Sequence, residues 1–336
     1  MILAIESTFD EIGAALVEKN SIGGIRIISS SIASSAAITA KYGGAVPEIL
    51  AREQASMIVP VIEECMLKAS ARKEDIEAVA VTNGPGMIGS LLVGVETVKA
   101  IAYAWNKPLL RVNHMVAHVL ANWIDEKRIP GFPAIGLVIS GGHTDIVHLA
   151  QFDRWEYLGG TRDDAVGEAF DKVARLLGLP YPGGALIQKL CDEYILDKEN
   201  TRYTLPRPMI HDETFDMSFS GLKTAVSDLV KTEDGNLNSK AVAHAFTMAV
   251  CEVLVEKCVR ALETTGATNF VMAGGVAANK HIREAFMAKM ESLGVECFIP
   301  NLKYCTDNAP MIGAAAVLKP EIADLQLRPE SNLKVI

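Results

Sequence analysis

With 336 residues, 49% of them hydrophobic, the chain is long enough to bury the cores of two domains of about 150 residues each. Its net charge of −9 excludes nucleic-acid binding by overall charge alone, so any such contact needs a local basic patch or a partner. The six cysteines show no CxxC pair and read as free thiols of a reducing compartment. The first residues, Met1-Ile2-Leu3-Ala4-Ile5-Glu6, carry neither a basic segment nor a cleavage pattern, and no apolar run is expected to span a bilayer. The expectation is a cytoplasmic protein without a membrane attachment.

Residues 2–5 predict a strand, Glu6-Ser7-Thr8-Phe9-Asp10-Glu11 a polar turn and residues 12–17 a second strand. The same plan returns at residues 134–139, with the turn Ser140-Gly141-Gly142-His143-Thr144-Asp145 and a strand at 146–149. Either hairpin alone is an ordinary turn; together they suggest a duplicated core, one copy per domain. Both tips carry hydroxyls and a carboxylate, and glycine-rich turns can cradle phosphate with backbone N–H groups.

Residues 42–47 read as a turn and 48–69 as a helix. A strand at 78–81 runs into Gly84-Pro85-Gly86-Met87-Ile88-Gly89 and a helix at 90–105, which satisfies the G-x-G-x-x-G dinucleotide pattern. Pro85 removes one amide, and no acid follows about 20 residues on to take a ribose, so the better reading is a tight turn with close helix packing.

A strand at 108–112 leads to Asn113, a good N-cap for a helix through Val119, Leu120 and Trp123. His114 and His118 lie four apart on one face of that helix, two imidazoles fit to hold one metal ion. The alternative is a pair of ordinary helix histidines. Residues 161–172 are polar and then periodic, ending at Gly178; such charge density usually marks a solvated face. Tyr181-Pro182-Gly183-Gly184 reads as a turn, residues 218–224 as a helix start and 231–240 as an exposed loop. Residues 241–264 form a long helix whose Cys251 and Cys258 share a face and suit a core. A strand at 269–273 meets Gly274-Gly275, a junction that lets backbone approach a nucleotide, and 295–299 is a last strand. Asp307 reads as the N-cap of the final helix, with Pro310 in its first turn.

Taken together, these segments resemble the TsaD (Gcp) family of tRNA threonylcarbamoyladenosine transferases in its bacterial form, over nearly the whole chain. The residues that carry the resemblance are His114-Met115-Val116-Ala117-His118, Val138-Ile139-Ser140-Gly141-Gly142-His143-Thr144, the run 163–172, Tyr181-Pro182-Gly183-Gly184, Ser218-Phe219-Ser220-Gly221-Leu222-Lys223, Gly274-Gly275-Val276-Ala277-Ala278-Asn279 and Cys305-Thr306-Asp307-Asn308. The resemblance implies an α/β chain of the two-lobed actin-like ATPase/Hsp70/sugar-kinase (ASKHA) fold, with duplicated mixed-sheet domains and an interdomain cleft. Residues 1–112 plus 305–336 would form the N-terminal lobe and 113–304 the C-terminal lobe.

The implied reaction moves a threonylcarbamoyl group from threonylcarbamoyl-AMP to N6 of adenosine 37 in tRNAs reading ANN codons, releasing AMP. One divalent metal ion would sit on His114, His118 and Asp307: Fe2+ first, with Zn2+ or Mg2+ as alternatives. Substrate contacts carry over to Val138, Ile139, Ser140, Gly141, Gly142, Asp171, Gly184, Gln188 and Asn279. Implied partners are a TsaB-like paralogue as heterodimer, a TsaE-like ATPase, the tRNA, and threonylcarbamoyl-AMP or an ATP-like nucleotide. Asp10 or Glu11 offers a carboxylate to accept the amine proton, the alternative being that it only orders the hairpin tip. Arg207, Lys223, Lys280 and Arg283 are candidates to hold the tRNA, against ordinary solvated charge.

The chain departs from the family pattern in places. Phe9 stands where bacterial relatives usually have Cys, Gln54 replaces a frequent His and Pro310 a frequent Ala. Gln188 occupies an often acidic position, and Val138 stands where the archaeal branch has a metal-binding tyrosine. The rival readings are a small-molecule kinase of the same superfamily, a dehydrogenase built on the turn at 84–89, and a non-enzymatic scaffold.

Overall fold

The computed structural model describes residues 1–35, 46–124, 127–197, 202–233 and 235–335. Of the expected turn at 42–47, residues 42–45 lie outside the described residues, as does Asp234 of the expected loop at 231–240. By its contacts the chain divides into two units, Met1–Ile129 with Pro300–Ile336, and Pro130–Ile299. The division falls at 129/130 and 299/300 rather than at 112/113 and 304/305. The HxxxH helix therefore belongs to the first unit, where it packs against the final helix.

The first unit is a sheet of β1 (Ile2–Glu6), β2 (Glu11–Lys19), β3 (Ile25–Ser34), β4 (Ala78–Gly84), β5 (Leu109–Asn113) and a short edge strand, Glu321–Ala323. Its order is Glu321–Ala323, β5, β4, β1, β2, β3. β1 pairs antiparallel with β2, from Ile2↔Val17 to Glu6↔Gly13, and parallel with β4, from Ile2↔Ala78 to Ile5↔Val81. Three helices follow the strands: α1 (Pro47–Lys68), α2 (Ile88–Trp105) and α3 (His114–Leu120). Leu3, Ile5, Val79, Val81, Val95 and Val98 fill the core between sheet and helices.

The final helix, Ala309–Leu318, lies against β1, β2 and α3. It approaches closely because Gly313 lacks a side chain: a Cβ there would come within 2.6 Å of a Val17 methyl. This contact fixes the height at which residues 305–308, just before the helix, enter the unit.

The expectation that no apolar stretch is long enough to cross a bilayer is corrected by α2, which has 18 residues and a mean hydropathy of 1.3. One face of α2, with Leu91, Val95, Val98 and Ala102, is buried against β4 and α1, while Ile88, Leu92 and Tyr103 are exposed.

The second unit repeats the plan. Its strands are β6 (Ala134–Ile139), β7 (Thr144–Leu149), β8 (Trp155–Gly160), β9 (Asn269–Ala273) and β10 (Glu296–Phe298), in the order β10, β9, β6, β7, β8. β6 pairs antiparallel with β7 and parallel with β9, as β1 does with β2 and β4. Helices α4 (Val166–Leu176), α5 (Gly184–Leu196), α6 (Ser220–Thr232), α7 (Ser239–Thr265) and α8 (Lys280–Leu293) complete it. Cys251 and Cys258 of α7 are buried, as the apolar spacing predicts. Phe170 meets Phe246 edge-on at 4.9 Å between ring centroids, and Phe270 stacks on Phe286 at 4.8 Å.

Candidate metal centre

Asn113 ends β5 and caps α3: its Oδ1 accepts from the amides of Met115 (2.9 Å) and Val116 (3.2 Å). The helix it starts is short and entirely buried, and one turn of it stacks His114 under His118. Their Nε2 atoms lie 3.2 Å apart. The third group arrives from the far end of the unit. Asn308, not Asp307, caps the final helix, its Oδ1 accepting from the Met311 amide at 3.0 Å. This corrects the N-cap reading of Asp307 and leaves its carboxylate to face the histidines. Asp307 Oδ1 is 3.3 Å from His114 Nε2 and 3.1 Å from His118 Nε2.

Three donor atoms separated by 3.1–3.3 Å have the edges expected of an ion's coordination shell. Bonds of about 2.0–2.1 Å place ligand atoms roughly 2.9 Å apart in an octahedron and roughly 3.4 Å apart in a tetrahedron. Two imidazoles and one carboxylate therefore fit a single divalent ion, with positions left open by a set of only three. The electrostatics agree. Burial would push both imidazoles down. At His114 the charges of Asp307 and Glu6 outweigh burial and lift the imidazole to about 10. At His118 burial prevails and the imidazole lies below its ordinary value. Burial would raise the Asp307 carboxyl, but the two imidazoles hold it far below the usual carboxylate range. Such a cluster needs compensating positive charge, which a cation supplies with both imidazoles neutral.

Around these three lies a layer that the sequence reading missed. Glu6 closes the apolar strand β1 and is fully buried. Its Oε2 faces His114 Nδ1 at 3.4 Å and accepts from Thr82 Oγ1 at 2.6 Å, while Thr8 Oγ1 donates to its Oε1. The signal available in the sequence was an acid directly continuing an apolar central strand, a place where a charge is rare without a partner. The Phe9 ring lies 6.4 Å from that of His114, centroid to centroid, and the residue is 41% exposed. The Gln54 side-chain amide donates to the Phe9 carbonyl, so two departures from the family pattern meet in one contact.

Glu11 opens β2 and its carboxyl is pushed up to about 6 by burial, then by the charges of Asp307 and Asp10. Asp10 precedes it in the turn, its carbonyl accepting from the Ser35 amide at 2.8 Å. The Gly84–Gly89 turn is packing, not a nucleotide cradle. A Cβ on Gly84 would meet the Glu330 carbonyl at 2.0 Å, and one on Gly86 would meet Thr8 at 3.0 Å. The Met87 amide donates to the Thr8 carbonyl at 3.0 Å.

The remaining expected residues gather in the second unit. Val138 and Ile139 are buried in β6, so the expected loop at 138–142 is shorter. Ser140 bridges the true turn, its Oγ accepting from the amides of Gly142 (3.4 Å) and His143 (3.1 Å). Gly141 and Gly142 border open space. The Ser140 carbonyl accepts from Gly167 in α4 at 3.2 Å, and Gly274 passes so close to Ile139 that a Cβ would lie 2.3 Å from its carbonyl oxygen. Further along α4, Asp171 Oδ1 accepts from the Gly183 amide at 2.7 Å, just before Gly184 opens α5. Gln188 of α5 accepts from the Lys280 amide at 2.9 Å, where Asn279 caps α8. A continuous chain of contacts thus brings the 140–142 turn, Asp171, Gly184, Gln188 and Asn279 to one end of this unit. Asp171, Gln188 and Asn279 each already serve a structural hydrogen bond.

The four expected tRNA-holding cations are engaged within the chain. Arg207 forms a two-pronged pair with Glu252 (2.7 and 2.8 Å), and Lys223 faces Asp164 at 3.8 Å. Lys280 faces Asp192 at 3.4 Å, and Arg283 donates to the Ala277 carbonyl at 3.0 Å.

One strand plan used twice, with a hairpin on one side of the central strand and parallel strands on the other, defines an α/β protein of the actin-like ATPase fold. Solved structures of low sequence identity carry that fold. T. kodakarensis HypF superposes with a TM-score of 0.62 at 13% identity, over 94% of this chain and 47% of that one. Component A of the Acidaminococcus fermentans (R)-2-hydroxyglutaryl-CoA dehydratase gives 0.52 at 15% identity, over 95% and 97%. The chain belongs to the TsaD family, tRNA N6-adenosine threonylcarbamoyltransferase, whose profile matches residues 26–314. Relatives bearing that name are 46% identical in Symbiobacterium thermophilum (94% of this chain, 90% of the relative) and 44% identical in Moorella thermoacetica (99% and 96%). That membership makes the chain a transferase of tRNA modification and favours this over a small-molecule kinase.

Proposed function

We propose that the chain transfers a threonylcarbamoyl group from threonylcarbamoyl-AMP to N6 of adenosine 37 in tRNAs reading ANN codons, releasing AMP, around one divalent ion on His114, His118 and Asp307. The observation that carries this reading is the 3.1–3.3 Å triangle of donor atoms in a chain of this family. Two imidazoles and a carboxylate suit iron(II); Zn2+ takes the same donor set, and Mg2+, which prefers oxygen ligands, is less matched. When bound, such an ion supplies a Lewis-acid charge for a phosphate or carbonyl oxygen.

The protein groups do the rest. An exocyclic adenine amine is a weak nucleophile and must be held against the carbamoyl carbon. Glu11, with a carboxyl near 6, is suited to accept the amine proton at neutral pH, and Asp10 is the alternative base. In the second unit the Ser140–Gly142 turn offers amides and a hydroxyl to the nucleotide phosphate, and Asp171, Gly184, Gln188 and Asn279 surround the nucleoside. Val59 and Leu67 of α1 and Leu92 and Tyr103 of α2 are exposed apolar side chains on neighbouring helices, which supports docking of a TsaB-like paralogue there. A TsaE-like ATPase and a cytoplasmic setting complete the reading.

The test is tRNA modification from threonylcarbamoyl-AMP, followed as modified nucleoside by mass spectrometry, with and without added ion and with His114→Ala alongside. Product should depend on the ion and fall to background in His114→Ala. Full activity in that variant would overturn the assignment.

A further inference from the structure

We infer that Glu6 is a positioning residue for the metal centre: it commits His114 to the form with the proton on Nδ1, so that the Nε2 lone pair faces the ion. The inference rests on the centre proposed above and goes beyond its three ligands. Glu6 is fully buried at the end of the central strand, where an unpartnered carboxylate would be very costly. The sheet register provides its partners. Ile5 pairs with Val81, so the next residue of β4, Thr82, lies beside Glu6 and donates to Oε2 at 2.6 Å. Thr8, two residues on, donates to Oε1. Two hydroxyls thus clamp the carboxylate plane from both ends, and the Oε2 edge is turned to His114 Nδ1 at 3.4 Å.

An imidazole has one proton to place when neutral, and the group facing one nitrogen decides which lone pair the other offers. A carboxylate can only accept, and the Thr8 hydroxyl, 3.5 Å from Nδ1, has its one proton on Glu6, so Nδ1 must donate and Nε2 is left as the ligand atom. His114 Nε2 is the atom that lies within the triangle with His118 and Asp307. Among the described residues His118 has no equivalent: its Nδ1 has no hydrogen-bond partner there. The two ligands are therefore unequal, and His114 is the one whose orientation and basicity the protein sets.

The experiment loads the full-length protein with Zn2+ or Co2+ and measures dissociation constants by competition with a chelator. Wild type, Glu6→Gln, Thr82→Val and His114→Ala are compared, with circular dichroism confirming the fold of each. Loss of a carboxylate behind a metal-bound histidine weakens metal binding about 10- to 100-fold. Glu6→Gln should show a loss in that range together with a changed visible spectrum of the Co2+ form. Thr82→Val, which loosens Glu6 without touching His114, should show a smaller loss in the same direction. In the zinc-loaded wild type, long-range 1H–15N spectra should place the His114 proton on Nδ1, a readout that needs no variant. A His114 bound through Nδ1, or unchanged affinity and spectrum in a folded Glu6→Gln, would overturn the inference while leaving the three-ligand centre standing. If wild type binds no better than His114→Ala, the centre and this inference fall together.

Discussion

Glu11 begins β2 with a carboxyl near 6, raised by burial and by the neighbouring charges of Asp307 and Asp10, which puts it close to the pH at which a base works best. General-base catalysis contributes about 100- to 10,000-fold. In single turnover with preformed threonylcarbamoyl-AMP, one of Asp10→Asn and Glu11→Gln should lose activity within that range while still binding the ion. Near-normal rates in both would assign these carboxylates to ordering the turn. At this scale the sequence was unevenly readable. His114 and His118 were legible because four residues make one helical turn. Asp307 was legible only through family resemblance, since spacing along the chain says nothing of proximity across a fold, and its own neighbourhood suggested a helix cap that Asn308 in fact provides. Glu6 was only half legible: an acid continuing an apolar strand signals a buried partner, but a strand pattern does not say that the partner is a histidine from far along the chain.

The run at 163–172, which charge density alone would place on a solvated face, instead joins two helices. Asp163 Oδ1 accepts from the amides of Phe219 (2.8 Å) and Ser220 (3.1 Å), and Oδ2 accepts from the hydroxyls of Ser218 (2.6 Å) and Ser220 (2.7 Å). An acid from before α4 thereby caps α6. Partial burial would raise this carboxyl, but the four donors hold it at about 2 against an ordinary 3.8. Its stabilising contribution is therefore complete above the ordinary value and is lost as pH falls toward 2. Because the group is largely exposed, the expected cost of Asp163→Ala at neutral pH is about 1 kcal/mol. Urea titrations of wild type and variant should differ by that much at pH 6, still differ at pH 3 and converge only as pH falls to about 2. Lys172 crosses to Asp164 (2.7 Å) and Glu168 (2.8 Å) in the same region. Among whole elements, the two hairpins were readable from short apolar runs and the polar turn residues between them. β3 was hidden by its serines at 29, 30, 31 and 34, and β8 by its shortness and its Gly-Gly end, since neither shows a long apolar run.

On the scale of the whole chain, the first unit is closed by residues that follow the second. The final helix brings Asp307, and the segment after it runs along the base of the centre. Glu330 donates its amide to the Asn83 carbonyl at 2.7 Å, the Ser331 carbonyl accepts from Gly86 at 3.3 Å, and the Lys334 carbonyl accepts from the Asn113 side chain at 2.6 Å. Asn113 is the cap that aims α3, so this segment steadies the histidines indirectly. Truncation after Gln326 should lower the melting temperature and weaken zinc binding, read by calorimetry and chelator competition. Unchanged values in both would show the segment to be dispensable. The duplication was legible from the repeated hairpin, but the closing role of the last residues was not, because nothing local marks a segment whose partners are backbone carbonyls and amides far upstream.

The distance between the proposed ligands along the chain also sets an order of events during synthesis. His118 leaves the ribosome roughly 190 residues before Asp307, which at 5–20 residues per second is a gap of about 10 to 40 s. In that interval the paired imidazoles exist without their carboxylate, beside only Glu6. An ion captured then would be held by an incomplete set with little power to choose among metals. On the proposed three-ligand centre, selective loading would fall to the finished polypeptide, after the second unit has been made and the chain has returned to complete the first.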